Sequence, residues 1–140
     1  MNNKIKGFLA TIAVSLMPFL VLSEQIETQI SADTITVRRG EVLYAEGNVL
    51  VQYGNNEIKA KALEFNQKSK RLKFIELQDF YDGKAIRLSA EQAVISNNLS
   101  EGIISAASLL LDDAIKIQTE EVTLRDGEIS SAKGISRVTS

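Results

Sequence analysis

The chain repeats one pattern of apolar and polar positions four times. In each copy an apolar residue is followed two places later by a small residue, and apolar residues then return at every second position. The small residues are Ala32, Ala60, Ala90 and Thr119, which lie 28, 30 and 29 residues apart. Self-similarity at a fixed period of about 20–50 residues is typical of stacked repeats. The pattern therefore predicts stacked units of two strands each.

The second strand of every unit contains an interruption. The interruptions fall near Gly47, Leu77, Ala107 and Gly134, in step with the small residues. At Gly47 the pattern predicts two strand runs on either side of a tight turn or bulge, and at Gly134 it predicts a weaker final pair of runs. Beyond the N-terminal segment, no stretch has the long helical periodicity that would indicate an α-helix. We therefore expect an all-β, antiparallel fold with loops of about 2–5 residues.

One segment leaves its secondary structure open. Residues 103–111 contain two adjacent isoleucines and a run of three leucines, so they have no clean polar face. A strand that is covered on both sides has this composition. A short helix has it too, and periodicity does not separate the two.

The N-terminus has the order of an export signal. Lys4 and Lys6 make a short basic start, residues 8–22 form an apolar run, and Ser23 supplies a small residue at the cleavage position. The run of about 15 residues is shorter than the ~20 that a membrane-spanning helix needs. We therefore predict a signal peptide over residues 1–23, a lead-in over 24–29 and one β-domain over 30–140. An uncleaved membrane anchor is the competing interpretation, and the expected destination is a Gram-negative periplasm.

Composition excludes several kinds of chemistry. Cysteine and histidine are absent, which removes disulfides, thiol nucleophiles, histidine bases and nearly all zinc or copper sites. The formal net charge is −2, and it becomes −4 once Lys4 and Lys6 leave with the signal peptide. A surface of that charge repels nucleic acid. We therefore expect no metal, no cofactor and no nucleic-acid partner.

The carboxylates do not form a catalytic pattern. Most of them, such as Asp33, Glu64 and Glu91, fall on the polar phase of a strand or in a turn. Glu120 and Glu121 are neighbours in one strand, so they point to opposite faces. General acid–base catalysis needs two groups that converge on one substrate. We therefore expect that the protein is not an enzyme, and a cleft with two converging carboxylates would reopen the question.

One local cluster of positive charge has two interpretations. Lys68, Lys70, Arg71 and Lys73 lie within six residues of one another. A solvated loop explains such a cluster. Contact with an anionic partner is the alternative, because a small domain rarely needs four cations together.

The apolar phase of the strands is the main candidate site. If the units stack in register, these side chains point the same way: Ile35, Val49, Val51, Ile58, Ala60, Leu63, Phe65, Phe74, Leu88, Ala93, Ile95, Leu109, Leu111, Ile117, Val122 and Leu124. Burying one methylene group is worth about 0.8 kcal/mol, so an apolar inner wall is able to hold acyl chains. A dry sandwich core explains the same pattern, and the pattern alone does not separate the two.

Three short phrases carry a family resemblance: ISAD at residues 30–33, AEGNV at 45–49 and IKAKALEF at 58–65. They resemble the OstA-like (organic solvent tolerance-like) domain of lipopolysaccharide transport, and the likeness covers residues 30–138. Within the family, residues 98–112 are most similar to the N-terminal periplasmic domain of the LptD type, and the soluble bridge protein of the LptA type is the second choice. The sequence shows neither the β-barrel nor the cysteines of the LptD type. Insertion of lipid into the outer membrane is therefore in doubt for this chain.

The resemblance implies an open, twisted β-jellyroll whose concave apolar interior receives the lipid A acyl chains of lipopolysaccharide. It also implies that the end strands pair edge to edge with other OstA-like (Lpt) proteins, and it supplies no catalytic residue. The expected function is non-enzymatic transport of lipopolysaccharide across the periplasm and its assembly at the outer membrane. The rival is a periplasmic docking module with a solid core that binds partners by strand addition. A cavity along the long axis favours the carrier, and a close-packed interior favours the docking module.

Overall fold

All the regular structure in the described part of the chain is β-sheet. The computed structural model of the protein describes the backbone of residues 3–14 and the whole of residues 26–140. Nine strands form one antiparallel sheet in which neighbours in sequence are neighbours in space. The strands are β1 (Asn3–Val14), β2 (Thr28–Arg38), β3 (Val42–Tyr53), β4 (Asn56–Asn66), β5 (Arg71–Tyr81), β6 (Ile86–Ser96), β7 (Gly102–Leu111), β8 (Ile115–Arg125) and β9 (Glu128–Thr139). The predicted all-β, open antiparallel fold is confirmed.

The turns form two rows, one at each end of the strands. The first turn row contains the β2–β3, β4–β5, β6–β7 and β8–β9 turns, and the second turn row contains the β3–β4, β5–β6 and β7–β8 turns. All seven turns have two to five residues, as predicted. Backbone hydrogen bonds join neighbouring turns of the first row: Gln67 N–H to Glu41 O (2.8 Å), Asn97 N–H to Lys70 O (3.1 Å) and Gly127 N–H to Ser100 O (2.9 Å). The repeats are therefore stacked through their turns as well as through the sheet.

Every second strand bends near its middle. Strands β3, β5, β7 and β9 contain a residue with positive φ, at Gly47 (81°), Glu76 (53°), Ala106 (53°) and Gly134 (71°). A residue in this conformation interrupts the extended chain and makes a bulge that bends the strand. The predicted interruptions are thus confirmed to within one residue. At Gly47 the predicted bulge is confirmed and the alternative tight turn is wrong, and the predicted final pair around Gly134 is a single strand, because the ladders of β3 and β9 resume beyond each bend.

The segment whose structure was left open is strand β7. Its side chains alternate, with Ile104, Ala107 and Leu109 buried and Ile103 49% exposed. Of the two alternatives that the sequence left open, the segment is a strand, but it is not covered on both sides. The physical reason is that β7 belongs to a single sheet whose outer face lies in water.

The inner face of the sheet is covered by the sheet itself. Phe65, Phe74 and Phe80 are almost fully buried, in one apolar cluster that runs from β2 to β8. A flat single sheet leaves both faces in water, and the described residues contain no helix and no second sheet that would cover this face. We conclude that the bends bring the two halves of the strands towards each other over the apolar side chains.

The two turn rows meet along a seam. Thr28 at the start of β2 donates from its hydroxyl to the carbonyl of Asn97, 69 residues later, at 2.6 Å. A methyl group on Gly127 would lie 3.9 Å from the side-chain nitrogen of Asn56. Asn97 is buried, and among the described residues none accepts a hydrogen bond from its side-chain nitrogen. The seam therefore joins the two turn rows through residues that are far apart in the chain.

The N-terminal predictions are tested only in part. Asn3–Val14 forms strand β1, which pairs with β2 from Asn3 opposite Val37 to Val14 opposite Thr28. The predicted cleavage position after Ser23 lies outside the described residues. Strand β2 begins at Thr28, two residues before the predicted start of the β-domain. The described residues contain no helix that is long and apolar enough to cross a membrane.

Candidate functional site

The predicted inward-facing residues lie together on one face of the sheet. Residues directly opposite each other in neighbouring strands share a face, and the pairs Leu63–Phe74, Phe74–Ala93 and Ala93–Ile104 carry the inner row across β4 to β7. All the predicted residues are buried except Leu111 and Ile117, which are partly buried and pack against the same cluster. The alternation therefore predicted correctly that these side chains lie on the inner face of the sheet.

The prediction omitted several residues of the same face. Leu72, Leu77 and Phe80 are buried in β5; alternation with polar residues was a signal for Leu72, whereas the bend at Glu76 shifts Leu77 out of the two-residue phase. Leu99 is buried too, but it lies in the β6–β7 turn, where no periodicity applies. Only the stacking of that turn against its neighbours brings Leu99 into the core.

The middle of the interior is close-packed. Phe65 and Phe74 have no exposed surface, so no space large enough for water adjoins them. Burying such a side chain is worth about 1.5–3 kcal/mol. A close-packed interior is what the docking module predicts, whereas the carrier predicts a cavity along the long axis. An acyl chain would enter this part of the interior only if the inner side chains moved apart.

The small residue of each repeat lies beside a bend, on the inner face. Ala60 is fully buried and is opposite Val49 and Leu77 in the two neighbouring strands. Thr119 is buried at the equivalent place, and its hydroxyl donates to the carbonyl of Lys133 at 2.6 Å. A small side chain suits the concave side of a bend, where larger ones would collide. The recurring bends therefore explain why one small residue recurs in each repeat.

The inner face opens at its C-terminal end. Ile117 packs against the core and is opposite Val138 in β9, while Thr119 is opposite Ile135. Opposite residues share a face, so Ile135 and Val138 belong to the inner row, yet they are 54% and 61% exposed. Strand β9 is the last strand in the order of the sheet, and no strand of the described residues pairs with its outer edge. We call Ile135, Val138 and the half-buried Ile117 the apolar mouth.

A groove on the outer face contains two carboxylates. It has a volume of about 430 Å³ and is lined by Glu91, Ala106, Ala107, Ser108, Gln118, Thr119, Glu120 and Ser136. Glu91 and Glu120 are both exposed to water, and in the described residues no side-chain hydrogen bond reaches either of them. General acid–base catalysis depends on carboxyl groups held and perturbed by their surroundings. The groove therefore contains two carboxylates, Glu91 and Glu120, but no described side chain holds either of them in position by a hydrogen bond.

A carboxylate organises the β5–β6 turn. One oxygen of Asp82 accepts hydrogen bonds from the backbone N–H groups of Lys84 (2.8 Å), Ala85 (3.0 Å) and Ile86 (3.0 Å). Partial burial alone raises the pKa of Asp82, but the three donors together bring it below its usual value. The ionised carboxylate is thus part of the turn's structure.

The cations next to this turn already have partners. A hydrogen bond to Glu128 at 2.6 Å raises the pKa of Lys84 and joins the second turn row to the β8–β9 turn. Arg87 donates to both oxygens of Asp79 at 2.7 Å, which raises its pKa, and its guanidinium lies 5.0 Å from the ring centre of Tyr81. These cations are therefore not free to bind an external anion.

The predicted basic cluster lies on the β4–β5 turn and the start of β5. Lys68, Lys70, Arg71 and Lys73 are exposed, and none takes part in the ion pairs found among the described residues. Tertiary structure adds Arg125, which lines a groove of about 320 Å³ together with Arg71. Sequence analysis missed Arg125 because it lies in a different repeat. Both interpretations of the cluster, a solvated loop or an anionic partner, are compatible with this exposure.

No family model and no curated protein matches the sequence. Support for a function therefore comes from the geometry of the inner face and from the resemblance of the three short phrases to the OstA-like domain.

Proposed function

We propose that the protein is a non-enzymatic carrier of lipopolysaccharide that acts in the periplasm, at the outer membrane. The observation that carries the proposal is an apolar inner face that is continuous from β2 to β8 and reaches water at the apolar mouth. Large exposed apolar side chains grouped at one edge mark a site of interaction. The mouth therefore offers acyl chains a place to enter.

The chemistry of the inner face fits acyl chains. Its side chains are aliphatic or aromatic, and among the described residues the buried polar ones are Thr28, Asn97 and Thr119. A protein that sheathes acyl chains gains about 0.8 kcal/mol for each buried methylene, while sugars and phosphates stay in water. Such a carrier needs neither a catalytic group nor a cofactor. The predicted N-terminal signal supports the proposal, because such a signal would export the protein to the compartment where this cargo travels.

A docking module with a solid core is the second candidate. It is favoured by Phe65 and Phe74, which leave no water-sized space in the middle of the interior. In that case the free edge of β9 would bind a partner by adding a strand, and the apolar mouth would be covered by that partner. The two candidates differ in whether lipid contacts the inner face.

Photocrosslinking in living cells separates the two candidates. A photoreactive residue replaces Val138 on the inner face, and the adjacent outward-facing Arg137, which is opposite Gln118, is the matched control. A second pair, Phe65 and its neighbour Glu64, measures how far lipid penetrates. The carrier predicts lipopolysaccharide adducts at Val138 and Phe65 and none at the two controls. A stable, exported protein without adducts at Val138 and Phe65 would leave the docking module as the better account.

A further inference from the structure

Two exposed apolar side chains lie next to each other on the outer face of the sheet. Val94 in β6 is directly opposite Ile103 in β7, and they are 40% and 49% exposed. Both point away from the core, because the residue after each of them is buried. The half-buried Ile75 extends the pair, two residues along β5 from Lys73, which is opposite Val94. We call Val94, Ile103 and Ile75 the apolar island. Apolar side chains that are grouped on a surface mark a site of interaction, whereas scattered ones do not.

Positively charged side chains border the apolar island. Lys73 is directly opposite Val94, and Arg71 points the same way from two residues earlier in β5. From β8, Arg125 lines a groove of about 320 Å³ together with Arg71 and Ile103. One groove therefore contains two guanidinium groups and part of the apolar island.

The surface around the island has an unbalanced charge. We call its cations the basic rim: Lys68, Lys70, Arg71, Lys73 and Arg125. All five are exposed, and none takes part in the ion pairs of the described chain. Three acidic residues lie beside them, namely Glu64 opposite Lys73, Glu101 in the groove and Asp126 in the β8–β9 turn. Five cations and three carboxylates leave a local net charge of +2, whereas the whole chain has a net charge of −2.

This combination fits the surface of an anionic phospholipid bilayer. Lysine and arginine lay their methylene stems along apolar surface and extend the charged group to the phosphates. Guanidinium groups such as those of Arg71 and Arg125 bind phosphate oxygens with two parallel hydrogen bonds. A free phosphate ion would account for the cations but not for the exposure of Val94 and Ile103. Protein interfaces are usually anchored by aromatic side chains, and the apolar island contains none.

We propose that the apolar island and the basic rim attach this protein to an anionic phospholipid bilayer. The phosphates bind the basic rim, and Val94 and Ile103 reach the boundary between headgroups and acyl chains. The attachment uses the outer face of the sheet, so it leaves the inner face free for cargo. The inference therefore goes beyond the proposed carrier, and it holds equally for a docking module.

Vesicle flotation tests the attachment in protein recovered from the periplasm after export. Vesicles of phosphatidylcholine with about a quarter phosphatidylglycerol should carry the protein, and vesicles of phosphatidylcholine alone should carry much less of it. Each cation near such a surface contributes about a fivefold factor in affinity, so R71Q/R125Q should bind about 10–30-fold more weakly. High salt should weaken the binding as well, because exposed charges are screened.

The matched control for charge is K59Q/K116Q, which removes two cations from another part of the surface. Lys59 and Lys116 are exposed and outside the ion pairs of the described chain. They lie near the second turn row, whereas the basic rim lies near the first. This variant should bind anionic vesicles nearly as well as the unmodified protein.

The substitution Ile103→Thr tests the apolar island, because it keeps a β-branched side chain but removes apolar surface. The affinity for anionic vesicles should fall about fourfold. The control Ile115→Thr changes a 39% exposed isoleucine near the second turn row and should alter the affinity little. Because all the substituted side chains are exposed, circular dichroism should show the same folding for every variant.

The proposal is overturned if anionic and neutral vesicles carry the protein equally, if K59Q/K116Q weakens binding as much as R71Q/R125Q, or if Ile103→Thr has no effect. A photoreactive residue at Ile103 gives an independent test in cells. Phospholipid adducts at this position support the proposal, and adducts with a protein alone overturn it in favour of a protein partner. Lipopolysaccharide adducts at Val138 are scored separately, so their absence would refute only the carrier.

Discussion

Substituting two adjacent alanines by glycine should change stability in opposite directions. Ala106 is the bend residue of β7, with φ of 53°, and Ala107 is a buried core residue next to it. A left-handed conformation costs an L-residue about 1–2 kcal/mol, and glycine removes that strain. Against this, glycine adds about 0.4–1 kcal/mol of conformational entropy to the unfolded chain. We therefore expect Ala106→Gly to stabilise the protein by about 0.5–1 kcal/mol.

Ala107→Gly is the control, because it has the entropy cost without the relief of strain. It also loses a buried methyl group worth about 0.8 kcal/mol, so a loss of about 1–2 kcal/mol is expected. Urea unfolding at pH 7 followed by circular dichroism measures both variants. With slopes of about 1–3 kcal/mol per molar urea, the midpoints should move apart by about 1 M. If Ala106→Gly destabilises the protein as much as Ala107→Gly, the bend does not store strain and the explanation of the repeat is wrong.

Two further predictions concern the seam and the β5–β6 turn. Thr28→Val removes the hydroxyl that donates to the carbonyl of Asn97, so it should lower the free energy of unfolding by about 1–2 kcal/mol. The control Thr36→Val, in the same strand, should change this free energy little. If urea unfolding gives equal effects for the two variants, the hydrogen bond at the seam does not stabilise the fold. The folded-state pKa of Asp82 lies below the usual value of 3.8, so the stability that its carboxylate contributes is complete above that value and is lost as the pH falls through the folded pKa. The stability difference between the unmodified protein and Asp82→Asn should therefore be constant near neutral pH and shrink below about pH 4, and a difference that did not vary with pH would contradict this.

The bends explain why the repeat is visible in the sequence at all. Glycine occupies the bend at Gly47 and Gly134, where an added methyl group would lie 2.7 Å from Asp33 and 2.5 Å from Glu120. At the other two bends, Glu76 and Ala106 adopt positive φ without glycine. The pattern that reveals the repeat is therefore the small inner residue in the neighbouring strand rather than a glycine at the bend itself.

The outcome at the two ends of the inner face shows where pattern analysis fails. Ile103 and Val138 are both apolar residues in strands, yet one faces outward and the other lies at an open mouth. A run of apolar residues in β7 concealed the alternation, so a covered strand and a short helix both remained open there. Whether an inward residue is buried depends on what lies opposite it, and no strand of the described residues lies beyond β9.

The sequence alone determined the features that arise from neighbouring residues. Alternation fixes which side chains share a face of a strand, turn residues fix where the chain reverses, and the spacing of Ala32, Ala60, Ala90 and Thr119 fixes the repeat. These features follow from local sterics and from the two-residue period of a strand, and the candidate residues predicted to share the inner face do share it in β2 to β8.

Tertiary structure alone decided how the sheet covers itself. The contact of Thr28 with Asn97 joins residues 69 positions apart, and it depends on the bends and twists of all the strands between them. The same geometry packs the middle of the interior and opens the mouth at Val138. The way the sheet covers itself depends on the twists and bends of all the strands added together. No local sequence pattern encodes that total, because each strand contributes only a small part of it.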